Sequence, residues 1–425
     1  MAVGRRWLGW VALLAGAALA GAACGTQQSA TQQAQTPPGV TSNQITLGAT
    51  MPLTGTASVY SALGKGANAY FQYVNSQGGV NGRQIKYVVV DDAYTPSNTP
   101  TKARELVEED KVFATFGNVG TPTNLAVRAY YNAQKVPQLF VNTGADTWGT
   151  DYNKYPWTLG LQPTYVTEGK IYAHNMLQNE PNDKIGVLYQ NDDYGKDYLS
   201  GLQQGLGNKA NSMIVAKATY NANDPVDMAS QVNTLKASGA DTFYVAATPN
   251  YAANAVANAV KSGWKPKIYM NNVSVSTATW RAASAQLGGS AAIDGMTSTV
   301  YFKDPLDTAK WGNDQGVKLF KDLMTKYGAG CDPTGADQYC VAGMAAAWNM
   351  VQVLKQAGKD LTRQKVMDLA SSSLNLTGNP LLLPGIVVKT TKNDHHPIQQ
   401  EQLQKWQGDR WAPIGQVIDV RSQTS

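Results

Sequence analysis

Short β-branched runs alternate with helix-length segments from Ile45 onward, and the alternation restarts after Pro163. In the first set, strands are expected at 45–49, 85–90, 112–116 and 138–141. Between them, 62–75 carries Leu63, Ala67, Tyr70, Phe71 and Val74 on one helical face. Thr99-Pro100 and Thr121-Pro122 each open a further helix, with a capping hydroxyl and a first-turn proline. The second set runs helix 166–177, strand 184–189, helix 195–206, strand 213–219, helix 225–238, strand 242–245, helix 251–262 and strand 268–270. A strand–helix rhythm on this scale builds parallel sheets with helices on both faces. Two successive sets imply an α/β fold of two doubly wound parallel-sheet lobes.

The first 24 residues place such a fold outside the cytoplasm. Arg5 and Arg6 precede an apolar and small-residue run from Trp7 to Ala23, the order of a secretory signal. The run is too rich in Ala and Gly for a membrane span. Gly21-Ala22-Ala23-Cys24 resembles a lipobox, which implies acylation of Cys24 and an anchor on the outer face of the cell membrane. Gly21 stands where an aliphatic residue is usual; ordinary cleavage near Ala20 or Ala22 is the other reading, and Arg5-Arg6 leaves twin-arginine export open. The Gln-, Thr-, Ala- and Pro-rich stretch up to residue 43 reads as a tether. Cys331 and Cys340 are close in sequence, and in an oxidising compartment they are expected to pair. Two free buried thiols or half a metal site are the alternatives; no further Cys or His nearby would complete the latter. A formal net charge of +5 predicts no nucleic-acid partner. A monomer is expected.

The loops that follow the expected strands carry the candidate chemistry. They include Asp91-Asp92, Gly117-Asn118-Val119-Gly120, Asn142-Thr143-Gly144, Asn191-Asp192-Asp193-Tyr194, Thr248-Pro249-Asn250 and Asn271-Asn272. Ligands of open parallel sheets bind along that edge. In the second loop two glycines allow close approach to the main chain, and the Thr121 hydroxyl and first-turn amides can meet an anionic group. Thr121 capping its own helix is the plainer reading.

Catalytic constellations are missing. The three histidines have no zinc spacing, and there is no CxxC and no G-x-S-x-G elbow. Gly64-Lys65-Gly66 lacks the rest of a phosphate loop. Asp92 and Asp193 are conceivable bases, but a strand-end Asp more often caps the next loop or helix. No enzyme activity, cofactor or metal is expected.

Gly48-Ala49-Thr50-Met51-Pro52-Leu53-Thr54-Gly55, Tyr60, Gly78-Gly79-Val80-Asn81-Gly82, Asp91-Asp92-Ala93 and Leu188–Gly195 together resemble the leucine/isoleucine/valine-binding proteins. These are substrate-binding subunits of ABC importers with the type I periplasmic-binding fold. The resemblance runs from about Ile45 to Val420. It implies three crossings between lobes, near 161–163, 296–300 and 374–378. The first lobe is then 44–162 with 297–375, the second 163–296 with 376–420, after a signal at 1–23 and a tether at 24–43. It also implies a small-molecule ligand, a membrane permease as partner, and binding roles for Tyr60, Gly120, Thr121, Thr143, Gly144, Ala145, Asp146, Tyr194, Thr248, Asn250, Asn271 and Asn272. Two departures matter. Asp146 stands where the family has Thr or Ser, and Asn271-Asn272-Val273-Ser274 lies where amino-acid binders place the acid that pairs with the ligand ammonium. Either Asp146 supplies that charge, or the ligand is an apolar or aromatic carboxylate or amide without an ammonium.

Overall fold

The computed structural model describes residues 36–420. The expected signal segment and Cys24 lie outside the described residues. The expected tether ends earlier than residue 43. Val40 is buried and bridges to Ile45, and the Gly39 carbonyl accepts the Thr46 amide at 2.7 Å.

Five strands form the first sheet: β1 (Gln44–Met51), β2 (Gln84–Asp91), β3 (Ala114–Phe116), β4 (Gln138–Val141) and β5 (Thr158–Gly160). Their order is β2-β1-β3-β4-β5, and every pairing is parallel. All but the first residue of β1 are buried, as a central strand covered on both faces requires. The second sheet gathers β6 (Ile185–Gln190), β7 (Ile214–Tyr220), β8 (Thr242–Ala246), β9 (Lys267–Met270) and β10 (Thr297–Val300). After the short pair β11 (Asn375–Leu376) and β12 (Val388–Lys389), the hairpin β13 (Gln400–Gln407) and β14 (Arg410–Asp419) joins it. The order is β14-β13-β10-β9-β8-β6-β7, with β13 and β14 antiparallel at one edge.

Each strand expected up to residue 270 forms, with ends shifted by at most two residues. The helix expected at 225–238 starts only at Ala229, because the Asp227 carboxylate accepts the Ala229 amide at 3.0 Å and turns the chain first. Sheet membership also shifts the lobe limits. Residues 297–300 pair with β9 and β13, so they belong to the second sheet rather than opening the return segment of the first lobe. Leu376, Leu381, Leu382, Leu383, Ile386, Val388 and Ile398 pack into the first core, so the chain returns to the second sheet near residue 400 rather than 376.

The first core is braced by helices Ser61–Ser76 and Gln338–Ala357. They approach until main chain meets main chain. A Cβ on Gly343 would lie 1.9 Å from the Leu63 carbonyl oxygen, and one on Gly66 would lie 2.1 Å from that of Cys340. This packing holds Tyr60, just ahead of the first helix, beside Tyr339 in the second, with ring centroids 5.1 Å apart.

Candidate functional site

Strand ends of both sheets line one small chamber. From the first sheet it receives Tyr94 after β2, Val119 and Gly120 after β3, and Asn142 after β4. From the second it receives Tyr194 after β6, Thr248 after β8 and Val273 after β9. Tyr60, Leu63, Gln162 and Tyr165 complete the lining, and among the described residues no charged side chain does so.

Gly120 has φ +104°, and a Cβ there would stand 2.6 Å from both Thr123 Oγ1 and the Tyr94 ring. Only glycine fits this position. It precedes helix Thr121–Ala133, which has no side-chain cap. The Thr121 hydroxyl instead meets that of Thr143 at 2.7 Å, so the capping reading of Thr121 does not hold. The first-turn amides therefore have no capping side chain.

The opposite wall is a stack of buried tyrosines. Tyr165 packs edge-on to Tyr194 at 5.1 Å and face-on to Tyr198 at 4.6 Å. The Tyr194 hydroxyl donates to the Asn271 amide oxygen at 2.8 Å, while that amide's nitrogen donates to the Val245 and Ala247 carbonyls at 2.9 and 3.0 Å. Asn271 thus orients Tyr194 from behind. Glu168 holds the deeper layer, accepting from Tyr172 (2.6 Å), Tyr198 (2.6 Å) and the Asn272 amide (2.7 Å). Glu401 accepts from Asn272 Nδ2 (2.7 Å) and Thr299 (2.8 Å). Burial, and then the proximity of Glu401, raises the Glu168 pKa well above the usual carboxylate range. Burial pushes Glu401 up to about 7.

A second, more apolar chamber adjoins the first and shares Tyr60, Leu63, Gln162 and Val273 with it. Val275, Val300, Phe302 and Ala342 give it hydrocarbon walls, and Asn272 contributes a polar one.

The lobes meet around these chambers. Tyr60 and Tyr339 donate to the Val273 carbonyl at 3.1 and 3.0 Å. Asn250 Nδ2 donates to the Thr56 carbonyl at 2.7 Å, and the Ala278 amide to the Ala336 carbonyl at 2.9 Å. Cys331 and Cys340 form the expected disulfide, with Cα atoms 6.1 Å apart, and the loop it closes carries both Ala336 and Tyr339.

The candidate residues therefore separate by position. Tyr60, Gly120, Tyr194 and Thr248 line the first chamber, and Asn272 lines the second. Thr121 and Thr143 pair their hydroxyls. Asn250 bridges the lobes outside both chambers and Asn271 stands behind Tyr194. A Cβ on Gly144 would lie 2.4 Å from the Pro163 carbonyl oxygen, so that residue packs on the crossing, and buried Ala145 packs in the cluster around Tyr165. Asp146 lines a separate groove with Lys170, His174 and His396. Burial opposes protonation of His396, but Asp146 at 3.4 Å and Asp394 at 3.6 Å prevail and raise it to about 9. Asp146 thus faces a cation of the protein itself. Tyr94, Tyr165, Gln162 and Tyr339 escaped the sequence reading. Tyr94 takes φ +56°, rare for an aromatic residue, and no local pattern announced it. Asp92 accepts from the Tyr94 amide and the Thr99 hydroxyl, each at 3.0 Å, and Asp192 caps helix Asp193–Leu206. Asp92 thus supports its loop, and Asp192 caps the helix that opens with Asp193, the other acid considered as a base.

Residues 44–410 match the family model described as periplasmic binding protein. The amino acid binding protein of Pseudomonas aeruginosa is 25% identical over 47% of this chain, a match spanning only 53% of that protein's length. A Leu/Ile/Val-binding protein homolog 1 of Brucella suis is 23% identical over 74% of this chain and 79% of its own. Among solved structures, a branched chain amino acid ABC transporter protein from Thermus thermophilus with bound valine superposes with a TM-score of 0.75 at 16% identity, covering 89% of this chain and 97% of that one.

Proposed function

Since the chain belongs to the periplasmic binding protein family, a family of extracytoplasmic substrate binders and not of enzymes, we propose that it is the solute-binding subunit of an ABC importer and that its cargo is apolar and carries no ammonium group. One observation carries the second half: the chamber between the lobes is lined by tyrosines, small residues and amides without a charged side chain among the described residues. A desolvated ammonium without a carboxylate partner would cost several kcal/mol. Asp146, the candidate partner, is engaged with His396 in another groove. An apolar or aromatic carboxylate or amide fits this lining, its polar end near Gly120 and the uncapped start of helix Thr121–Ala133.

In this reading the ligand docks on the first lobe, and rotation about the three crossings brings Tyr194, Thr248 and Val273 over it. Closure is selected because the ligand touches both walls only when they meet. A membrane permease then receives the closed form, and acylated Cys24 keeps the protein at the membrane.

The relatives named for leucine, isoleucine and valine support a second reading, a branched-chain amino acid as ligand. A thermal-shift panel separates the two. Apolar acids and amides are expected to raise the melting temperature and the three amino acids are not; the opposite pattern overturns the ammonium-free reading.

A further inference from the structure

Gln162 lies in the crossing between β5 and helix Tyr165–Asn179, and it lines both chambers. Its side-chain oxygen is buried without a hydrogen-bond partner, and its amide nitrogen makes no hydrogen bond among the described residues. Two other amide nitrogens of the chambers are engaged. Asn142 Nδ2 donates to the Gly117 carbonyl at 2.8 Å, and Asn272 Nδ2 to Glu401 at 2.7 Å. Buried polar groups are normally satisfied, so an exception on a side chain that lines two chambers marks a place where a partner belongs.

A primary amide presents an acceptor and donors on one plane. Its full complement is a group that donates and accepts side by side. A carboxylate answers only the donors and sets an anion against the Gln162 oxygen. An ammonium answers only the oxygen. We propose that Gln162 reads an amide edge, a carboxamide or lactam, on an uncharged apolar ligand. The apolar body would extend past Tyr60 toward Val275, Val300, Phe302 and Ala342. This rests on the ligand-binding reading of the cleft and narrows its ligand class.

Calorimetry on the whole chain tests it with benzamide against benzoate and isovaleramide against isovalerate. Each amide is expected to bind about tenfold tighter than its acid, the equivalent of one well-made hydrogen bond. Gln162→Leu is expected to erase that preference while leaving the ligand-free melting temperature equal or higher. If that variant does not fold, Gln162→Met keeps the length, removes both the donors and the acceptor, and is expected to lose the same preference. Acids that bind as tightly as amides, or a preference that survives substitution, overturn the inference while leaving the ammonium-free reading intact. Leucine binding in preference to all four compounds, or no binding by any of them, overturns both.

Discussion

Tyr60 and Tyr339 stand far apart in sequence, yet their hydroxyls converge on a single oxygen, the Val273 carbonyl of the opposite lobe, at 3.1 and 3.0 Å. These bonds exist only when the lobes are together. Tyr60 also lines both chambers, so the same side chain walls them and fastens the lobes across them.

Sharing one acceptor makes the pair redundant. Tyr60→Phe or Tyr339→Phe alone leaves the carbonyl satisfied and should weaken closure by less than about 0.5 kcal/mol, whereas the double substitution should lose about 1–1.5 kcal/mol. Ligand affinities by calorimetry check this. Single losses that simply add to the double would show that the carbonyl is not shared.

The disulfide should stiffen one side of the same contact. It closes the loop carrying Ala336, which accepts the Ala278 amide, and Tyr339. Replacing both cysteines by serine should lower stability by about 2–3 kcal/mol on loop-closure grounds, and ligand affinity should fall with it. Denaturant unfolding and calorimetry are the measurements. An unchanged affinity in the variant would separate the bridge from closure.

Glu401 sets a pH dependence. Its folded pKa of about 7 lies above the ordinary 4.5. Between those values the folded state keeps a proton that the unfolded chain has lost, so stability falls as pH rises through this window. Glu168 is shifted in the same direction. Glu401→Gln should therefore raise the melting temperature at pH 8 and do little at pH 4.5. A variant that melts below the wild type at pH 8 would contradict the assignment.

Gly343→Ala tests the helix crossing behind the site. The added methyl meets the Leu63 carbonyl at 1.9 Å, so the helices must part. Overpacking of this kind costs about 1–3 kcal/mol, and the displacement should pass to Tyr339 and weaken ligand binding. A circular-dichroism melt within a degree of the wild type would refute it.

Much of this was legible beforehand. Strand and helix periods up to Met270 reported their elements because each strand is short, β-branched and bounded by turn residues. The run Leu381-Leu382-Leu383 carries no such period, and only its burial in the first core shows which lobe it serves. The hairpin from Gln400 to Asp419 is polar and alternates weakly, so its place at a sheet edge was hidden. At the site, Gly120, Tyr194 and Thr248 all fell in strand-end loops, and Gly120 alone takes a backbone, φ +104°, that its residue type announces. Gln162 and Tyr339 owe their roles to crossings between distant segments, which no local window contains. Asp146 looked like a free charge until the fold brought His396 to it.

The first core draws on residues from Val40 to Ile398. Its central sheet is finished by β5, yet helix Gln338–Ala357 and the segment ending at Ile398 cover it only much later in the chain. A ribosome emitting this sequence therefore releases most of it before the N-terminal lobe can close, and contacts of such long sequence separation form slowly. For a protein of an extracytoplasmic family, the first lobe thus has no finished core until nearly all of the chain has been made.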